Sequence, residues 1–498
     1  VEIMYFNLRE ISGQCLSFHA KCKAAMVHKN QVYIVQSSAD IPQILSACDT
    51  EIKMIELIRG TQWVETFSTP YDTGCVGDSI QLIASGTCLV TNNGRHVKIF
   101  ERSPDGKWDY KISPFENSGN VLICTEYARP NSCNVFVTAL CKLNGRSEWS
   151  TKYCGKNSDG KWIELPVGVT NRVIACDVTR DGRCALVSDG NNLLIYEPTD
   201  EGLEVNTLSD RGSRLAKFSP DGTRVVSDYG RNGAKIYIRS NQGDWLEEYI
   251  IHDEEDRHPL KNIQYSPDGT AIALIDRYRV EIFGRDEEGA WGRQAVFDDI
   301  VRGHFFSKII FSPYGTHGVI TLASDIYPKK KRQRIIGKIN NSSWVRKAHV
   351  GSNGLVAFSP DDTHVAIFTG YADIGPQITL CELSDERKLP KVATIEHGKK
   401  VRSIQFSDDG SHIITGSDDG LVRIWGQLGN SRWIEKVVIK HHGWVQFAQF
   451  VMGMTHVLAC CNNEANLYEL KPKAKVFNKH GMSRRMPRDK LQKAHNPV

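Results

Sequence analysis

No stretch of this 498-residue chain approaches the ~18 consecutive apolar residues of a membrane-crossing helix. Neither a secretory leader nor a lipid-attachment signal is visible in it, so no membrane association is expected. Its 14 cysteines include no Cys-x-x-Cys pair and follow no metal or disulfide spacing. Several fall inside strand-like text, at Cys124, Cys176, Cys184 and Cys460, and reduced structural thiols are the expectation. Catalytic signatures are missing as well. There is no Gly-x-Ser-x-Gly elbow, no phosphate-binding Gly-rich loop ending in Lys-Ser/Thr, and no His-Glu-x-x-His. The run His252-Asp-Glu-Glu-Asp-Arg-His258 could offer imidazole and carboxylate to a divalent ion, but it sits where other units also place histidine, as at His397 and His441-His442. The reading is therefore of a chain with no catalytic residues, no metal and no cofactor.

What the chain does have is a stride. Tryptophans stand at 63, 108, 162, 245, 291, 344 and 433, with gaps of 108 − 63 = 45 and 291 − 245 = 46, and the doubled gaps are filled by Leu203 and Leu389. Each opens a strand-length segment followed by three more, most clearly from Trp433 through Val445 to Val451, His456 to Cys461 and Ala465 to Leu470. Between them recur four-residue words, Ser219-Pro-Asp-Gly222, Ser266-Pro-Asp-Gly269, Ser312-Pro-Tyr-Gly315 and Ser407-Asp-Asp-Gly410. Proline presets one turn angle, Asp caps its own backbone and Gly accepts positive φ, so these words predict hairpin tips. Four strands at a period of roughly 40–45 residues are the signature of a β-propeller. Nine units are counted, which predicts eight or nine blades over residues 61–470; the weakest unit, 109–161, lacks the turn word and carries Arg129-Pro-Asn-Ser132 instead. An array that opens on the outer strand at Trp63 and ends on an inner one at Leu470 can be sealed by pairing the first strand with the last blade. The stride tryptophans are expected to cover the flank of a neighbouring blade.

The segment Val401-Arg-Ser-Ile-Gln-Phe-Ser-Asp-Asp-Gly-Ser-His-Ile-Ile-Thr-Gly-Ser-Asp-Asp-Gly-Leu-Val-Arg-Ile-Trp425 resembles a WD40 repeat. The resemblance implies an all-β, closed propeller and a structural hydrogen-bond chain of His397, Thr415, Asp419 and Trp425. Phe100, Tyr196, Tyr237 and Phe283 stand where other units would carry that last Trp, so the array is divergent. In this family the residue before the first inner strand lies on the face opposite the turn words, around the central channel, where partners dock. By alignment those positions are Arg172, Pro259, Phe305, Lys400 and Trp444. Aromatic and Arg groups dominate binding energy, and the basic members point to an acidic or phosphorylated protein partner. The function expected is a non-catalytic protein-interaction scaffold; the alternative is a propeller hydrolase or oxidoreductase with a metal or cofactor in the channel. The Ser-x-Asp-x-Gly-x-Thr-Trp box of sialidases is not met by Ser158-Asp-Gly-Lys-Trp162.

Ahead of the array, Leu8, Ile11, Cys15, Phe18, Cys22 and Met26 step by 3, 4, 3, 4 and 4, and Asp40 to Arg59 offers an N-cap, Pro42 and a Gly60 stop. Residues 1–60 are therefore expected to be helical. Residues 7–28 resemble part of an F-box, which would imply a ubiquitin-ligase adaptor as partner and a substrate-receptor role. From Lys471 to Val498 nine basic residues face one acid, Asp489, predicting a disordered basic tail. Nucleic acid is not expected as a ligand. Pro328-Lys-Lys-Lys-Arg-Gln-Arg334 resembles a nuclear-import signal, so the expected location is cytoplasmic with nuclear entry as the second option.

Overall fold

Strand follows strand from Phe18 to Pro472. The computed structural model describes Ile3, Met4 and most of residues 18–472, short internal stretches such as 71–78, 125–134 and 325–331 excepted, and for 119–151 the backbone course alone. Among the described residues there are ten antiparallel sheets built on four strands, and each is one blade. Blades 1 to 9 comprise residues 34–70, 79–112, 119–166, 175–209, 216–252, 262–297, 304–350, 355–396 and 401–440. Blade 10 comprises residues 445–472, and its fourth strand is Phe18–Val27 from the other end of the chain.

Local sequence explains the order of strands within a blade. The second strand is covered on both faces by neighbouring blades and reads as a continuous apolar run, as in Ala271–Ile275, where every residue is buried. The outermost strand, such as Trp291–Phe297, is only partly covered and mixes charge with apolar anchors. The turn words form the tips between first and second strands. In Ser219-Pro-Asp-Gly222 the Ser219 hydroxyl accepts from the Arg224 N–H at 2.9 Å, Gly222 N–H donates to the Ser219 carbonyl at 2.9 Å, and Gly222 has φ +72°.

Successive blades share apolar cores, and the contacts run round the molecule to their start. Leu89 and Phe100 of blade 2 join Leu45 and Met54 of blade 1, and Phe306 and Trp344 of blade 7 join Ile282 of blade 6. Blades 2 and 3 meet where Trp162 Nε1 donates to Glu101 at 2.9 Å. Blade 10 packs on blade 9 through Ala448, Tyr468 and Ile414, and on blade 1 through Met26, Leu467 and Ile44. The closing strand pairs along its length with Glu464–Pro472, in a register that sets Ala20 opposite Leu470 and Met26 opposite Ala465. His28 and Asn463 extend the seam, with His28 N–H to the Asn463 carbonyl at 2.8 Å and Asn463 Nδ2 to the His28 carbonyl at 2.9 Å. The protein is a propeller closed by its own amino-terminal strand.

The stride tryptophans do cover a neighbouring flank. Trp108 Nε1 donates to Glu56 of blade 1 at 3.1 Å, Trp291 to Glu248 of blade 5 at 3.2 Å and Trp344 to Gln294 of blade 6 at 3.1 Å. The buried Glu56 carboxylate also accepts from Arg102 of blade 2 at 2.6 Å, and Arg239 of blade 5 reaches Glu197 of blade 4 at 2.6 Å in the same relation. A charge buried on one blade is thus matched by a cation from the next.

Several expectations need correction. The helix expected over 40–59 is absent from its described residues, 41–58: Gln43–Ala47 and Glu51–Ile58 are the second and third strands of blade 1. Adjacent apolar residues such as Ile44-Leu45 and Met54-Ile55 mimicked a helical face because both strands are buried on two sides. Phe18–Val27 is also a strand. Its marked residues Phe18, Cys22 and Met26 fall four apart, a spacing that fits a strand's two-residue alternation as well as a helical turn, and with a register shift between Cys22 and Ala24 Met26 is buried while Cys22 is exposed. Those residues belong to blade 10, so no helical F-box remnant exists over 18–28; residues 7–17 lie outside the described residues. The sealing strand is Phe18–Val27, whereas the Trp63 strand, Gln62–Pro70, stays in blade 1. Its start continues the stride, since 63 − 18 = 45, and the unit it opens raises the count from eight or nine blades to ten. The suspect unit 109–161 does supply the first three strands of blade 3. The strand at the end of blade 10 runs to Pro472, and the rest of the basic tail lies outside the described residues. Cys88 and Cys176 each take part in a disulfide, so the expectation of thiols throughout fails; linear spacing carries no information on pairing in a folded chain. Cys22, Cys48, Cys154, Cys184, Cys381, Cys460 and Cys461 are free.

The WD-type tetrad is assembled only in part. The rings of His397 and Trp425 meet edge to face at 5.9 Å, and Asp419 accepts from Leu421 N–H at 3.0 Å and pairs with Arg423 at 2.8 Å. The Thr415 hydroxyl donates to the Arg423 carbonyl at 3.4 Å, and neither imidazole nitrogen of His397 nor Nε1 of Trp425 has a hydrogen-bond partner among the described residues. Burial, then the Arg423 charge, lower the His397 pKa to about 4 against the pull of Asp419, and burial lowers His441 to about 4.

Two outcomes follow from this packing. Trp344→Ala removes a wedge that is 4 % exposed and should cost about 3–5 kcal/mol, read as a lower urea midpoint, while Leu246→Ala, 55 % exposed, should change stability by under ~0.5 kcal/mol. Equal effects would show that the wedge carries no load. His397 and His441 bind protons more weakly folded than unfolded, so stability is intact above about pH 6.5 and falls as the pH drops from there toward 4, by up to ~3 kcal/mol per histidine. Urea midpoints at pH 7.5 and 5 should differ, with the difference reduced in His397→Gln and in His441→Gln; midpoints that do not move would remove the linkage.

Candidate binding face

The two ends of the ring differ in what they expose. One end carries the turn words, whose side chains are spent on their own backbone and on each other: the hydroxyl of Ser312 in blade 7 donates to Asp362 of blade 8 at 2.8 Å, and that of Thr316 to the same carboxylate at 2.6 Å. A cavity of about 360 Å³ opens near this end between blades 4, 5 and 6, lined by Asp177, Lys217, Ser219, Pro220 and Tyr265 among others. Its two charged liners neutralise one another, with Lys217 Nζ 2.8 Å from Asp177, and the second Asp177 oxygen accepts from Phe218 N–H at 2.8 Å. That carboxylate is occupied in joining blade 4 to blade 5.

The opposite end carries the segments that lead into the innermost strands and the turns between second and third strands. Trp444 stands directly before the strand Val445–Val451 and is 46 % exposed. The guanidinium of Arg402 from blade 9 lies over its ring at 4.7 Å and is held in place by the Asp418 carboxylate, with Nη2 3.2 Å from Oδ2. Lys400, exposed and directly before the strand Val401–Phe406, accepts through its carbonyl from the Asp418 N–H at 2.9 Å. Four residues of two blades thereby form one cationic, aromatic cluster.

A second cluster spans blades 6 and 7. Lys261 Nζ lies 4.5 Å from the ring centroid of half-buried Phe305, and the Arg277 guanidinium lies 5.1 Å from the same ring. Beside it the His258 ring is 4.4 Å from that of Tyr278, itself 46 % exposed, and Pro259 is exposed between them and Lys261 in sequence. Arg172 lies outside the described residues. Of the five positions expected to dock a partner, Lys400 and Trp444 therefore sit in one cluster and Pro259 and Phe305 in or beside the other. Alignment was two residues early at Pro259, because the strand begins at Asn262 and the residue before it is Lys261; at Phe305 it was late, since that strand begins at His304. Sequence reasoning missed Arg402, Asp418, Lys261, Arg277 and Tyr278. Each is separated in sequence from the aromatic or cation it meets by a whole strand or a blade.

Two further candidates resolve differently. Within the import-like run, 325–331 lie outside the described residues, while Arg334 is a strand residue, 4 % exposed and paired with Asp299. Of the run 252–258, His258 is the Tyr278 partner, and 253–257 lie outside the described residues.

Known proteins are similar to parts of this chain. The family model for the WD domain, G-beta repeat, matches residues 390–426, which hold the last strand of blade 8 and most of blade 9. Protein HIRA of Dictyostelium discoideum is 36 % identical over 102 residues, 19 % of this chain and 9 % of that protein. Apoptotic protease-activating factor 1 of Rattus norvegicus is 25 % identical over 244 residues, 43 % of this chain and 18 % of that one. The chain thus spans under a fifth of the length of either relative. Among solved structures, the Dos1 propeller aligns over 90 % of this chain and 95 % of its own with a TM-score of 0.39 and 9 % identity. A putative 6-phosphogluconolactonase from Bacteroides fragilis aligns over 62 % of this chain and 95 % of its own, with a TM-score of 0.32 and 14 % identity. With one WD40 repeat matched at residues 390–426, the other blades built on the same four-strand plan and the closing strand in place, the fold is a closed WD40-type β-propeller.

Proposed function

We propose that this propeller is a protein-interaction scaffold that holds an acidic or phosphorylated segment of a protein partner on the face bearing Trp444 and Phe305. WD40 propellers generally mediate protein–protein contacts. The observation that carries the reading is the Trp444–Arg402 stack: a large aromatic left 46 % exposed, with a guanidinium laid on it and oriented by Asp418. An exposed tryptophan loses little rotamer freedom on binding and brings a large apolar area, which is why Trp and Arg recur as energetic anchors. Lys399 and Lys400 are exposed beside it and Lys261 beside Phe305, and one acid, Asp418, is already committed to Arg402. A carboxylate or phosphate arriving here would meet cations on an aromatic floor.

Panning a random peptide library and a phosphopeptide array against the full chain tests the reading. Acidic or phosphorylated sequences should be enriched. A selected peptide should bind Trp444→Ala about 30-fold more weakly, equivalent to about 2 kcal/mol, and Lys400→Glu about tenfold more weakly. Tyr314→Ala, 61 % exposed in a turn word on the other face, should bind it unchanged. Selection without acidic enrichment, or equal affinity for Trp444→Ala, would remove this face from the function.

A further inference from the structure

At the seam where blade 10 hands over to blade 1, three ligand-type side chains converge. His28 follows the closing strand directly, and Cys48 and Glu51 flank the tight turn between the second and third strands of blade 1. One ligand atom from each lies within 4.8 Å of the other two. Zinc bonded at ~2.0–2.3 Å to nitrogen, oxygen and sulfur sets its ligand atoms about 3.3–3.8 Å apart, so the three need to close by roughly 1 Å.

The imidazole is arranged as a ligand would be. Its side chain is fully buried, and Nε2 lies 2.7 Å from the Ser46 hydroxyl, which directs its own proton to the Met26 sulfur at 3.2 Å. In the tautomer with the proton on Nε2, Ser46 accepts from Nε2–H and Nδ1 is free to bind a metal. Nδ1 has no hydrogen-bond partner among the described residues and faces Glu51 Oε1 at 3.6 Å, a gap too long for a hydrogen bond. A cation between the two would partner both.

The thiol is arranged the same way. Cys48 is 2 % exposed, and its sulfur accepts from the Thr50 backbone N–H at 3.4 Å with the Thr50 hydroxyl at 3.2 Å, so it is solvated as an acceptor. Glu51 is only partly spent, taking the Lys29 N–H at 3.1 Å on Oε1 while Lys53 Nζ, which donates to the Val27 carbonyl at 2.7 Å, stands 3.7 Å from Oε2. The carboxylate is partly exposed, which leaves room for water as a fourth ligand. Blade 9 shows what this repeat position does otherwise: His397 stands in the equivalent loop, but the turn opposite offers Asp419 tied to Arg423, with no thiol.

We propose that His28, Cys48 and Glu51 bind one divalent cation of the zinc class, releasing the Cys48 thiol proton to solvent and clipping the closing strand to blade 1. Sulfur, imidazole and carboxylate together suit zinc over magnesium or calcium. The site would act as a metal latch on ring closure. Nothing in the proposal depends on the docking face.

The test uses the purified full chain, stripped with a chelator under reducing conditions and titrated with Co²⁺, then Zn²⁺. One Co²⁺ per chain should bind with a thiolate-to-metal absorption band, and Zn²⁺ should bleach it. Cys48→Ser should lose the band, and Glu51→Gln should bind at least tenfold more weakly. Zn²⁺ at 100 times its Kd should raise the unfolding free energy of the wild type by about 2.7 kcal/mol and leave that of Cys48→Ser unchanged. No band in the wild type, or a band that survives Cys48→Ser because other cysteines hold the metal, overturns the proposal. Should Cys48→Ser fail to fold, His28→Gln takes its place, with weaker Co²⁺ binding expected and unchanged binding contrary.

Discussion

The backbone ladder between Phe18–Val27 and Glu464–Pro472 is the contact on which the rest of the ring depends. Without it blade 10 is a three-stranded sheet with an open edge, and the cores that blade 10 shares with blades 9 and 1 lose Ala20 and Met26. Bringing together residues some 440 apart costs on the order of 5 kcal/mol in chain entropy. A ladder of nine register pairs, with two further hydrogen bonds between the flanking His28 and Asn463, has to exceed that. Because both faces of the seam join cores built by other blades, closure is cooperative with the packing of its neighbours and is not a separate event appended to it.

Between blades the same geometric problem is solved repeatedly with different chemistry. The wedge needs a large side chain at the start of the outer strand, and what its indole N–H meets varies: Glu56, Glu101, Glu248 or Gln294. Trp245 and Trp433 have no partner for that N–H among the described residues yet pack into their junctions all the same. Burial of area is therefore the common requirement, and the hydrogen bond is an addition where a carboxylate or amide lies in reach. Leu203 and Leu389, at the stride positions without Trp, join the cores of their junctions in the same way.

This division explains how much was legible in the sequence. The stride, the turn words and the outer strands are local patterns, and the structure places the strands at or within two residues of the positions they marked, even at Leu389, where the strand begins at Lys391. What failed was also local. Two strands buried on both faces, and a third whose Phe18, Cys22 and Met26 fall four residues apart, gave apolar spacings that imitate a helix, so one whole unit of the ring was hidden. Of the proposed binding face, Lys400 and Trp444 were marked because each adjoins its strand in sequence, whereas Arg402 and Arg277 become neighbours of an aromatic only through packing between blades, and Asp418 meets Arg402 across a strand of blade 9. The cluster of His28 with Cys48 and Glu51 was beyond reach for the same reason, since the spacing of a zinc motif is short and this set straddles the seam.

The placement of the two aromatic clusters bears on what kind of partner the face suits. They lie on blades 6 and 7 and on blades 9 and 10, with blade 8 between them, so a short rigid epitope that fills one leaves the other empty. Each cation–aromatic stack contributes on the order of 1 kcal/mol at an exposed site, too little to hold a partner alone. On the proposed reading, an extended acidic segment engages both, and the second contact then forms at the high effective concentration that the first one sets. A ring wider than the usual four to eight blades spaces such contacts further apart, which favours long, flexible ligands over compact ones.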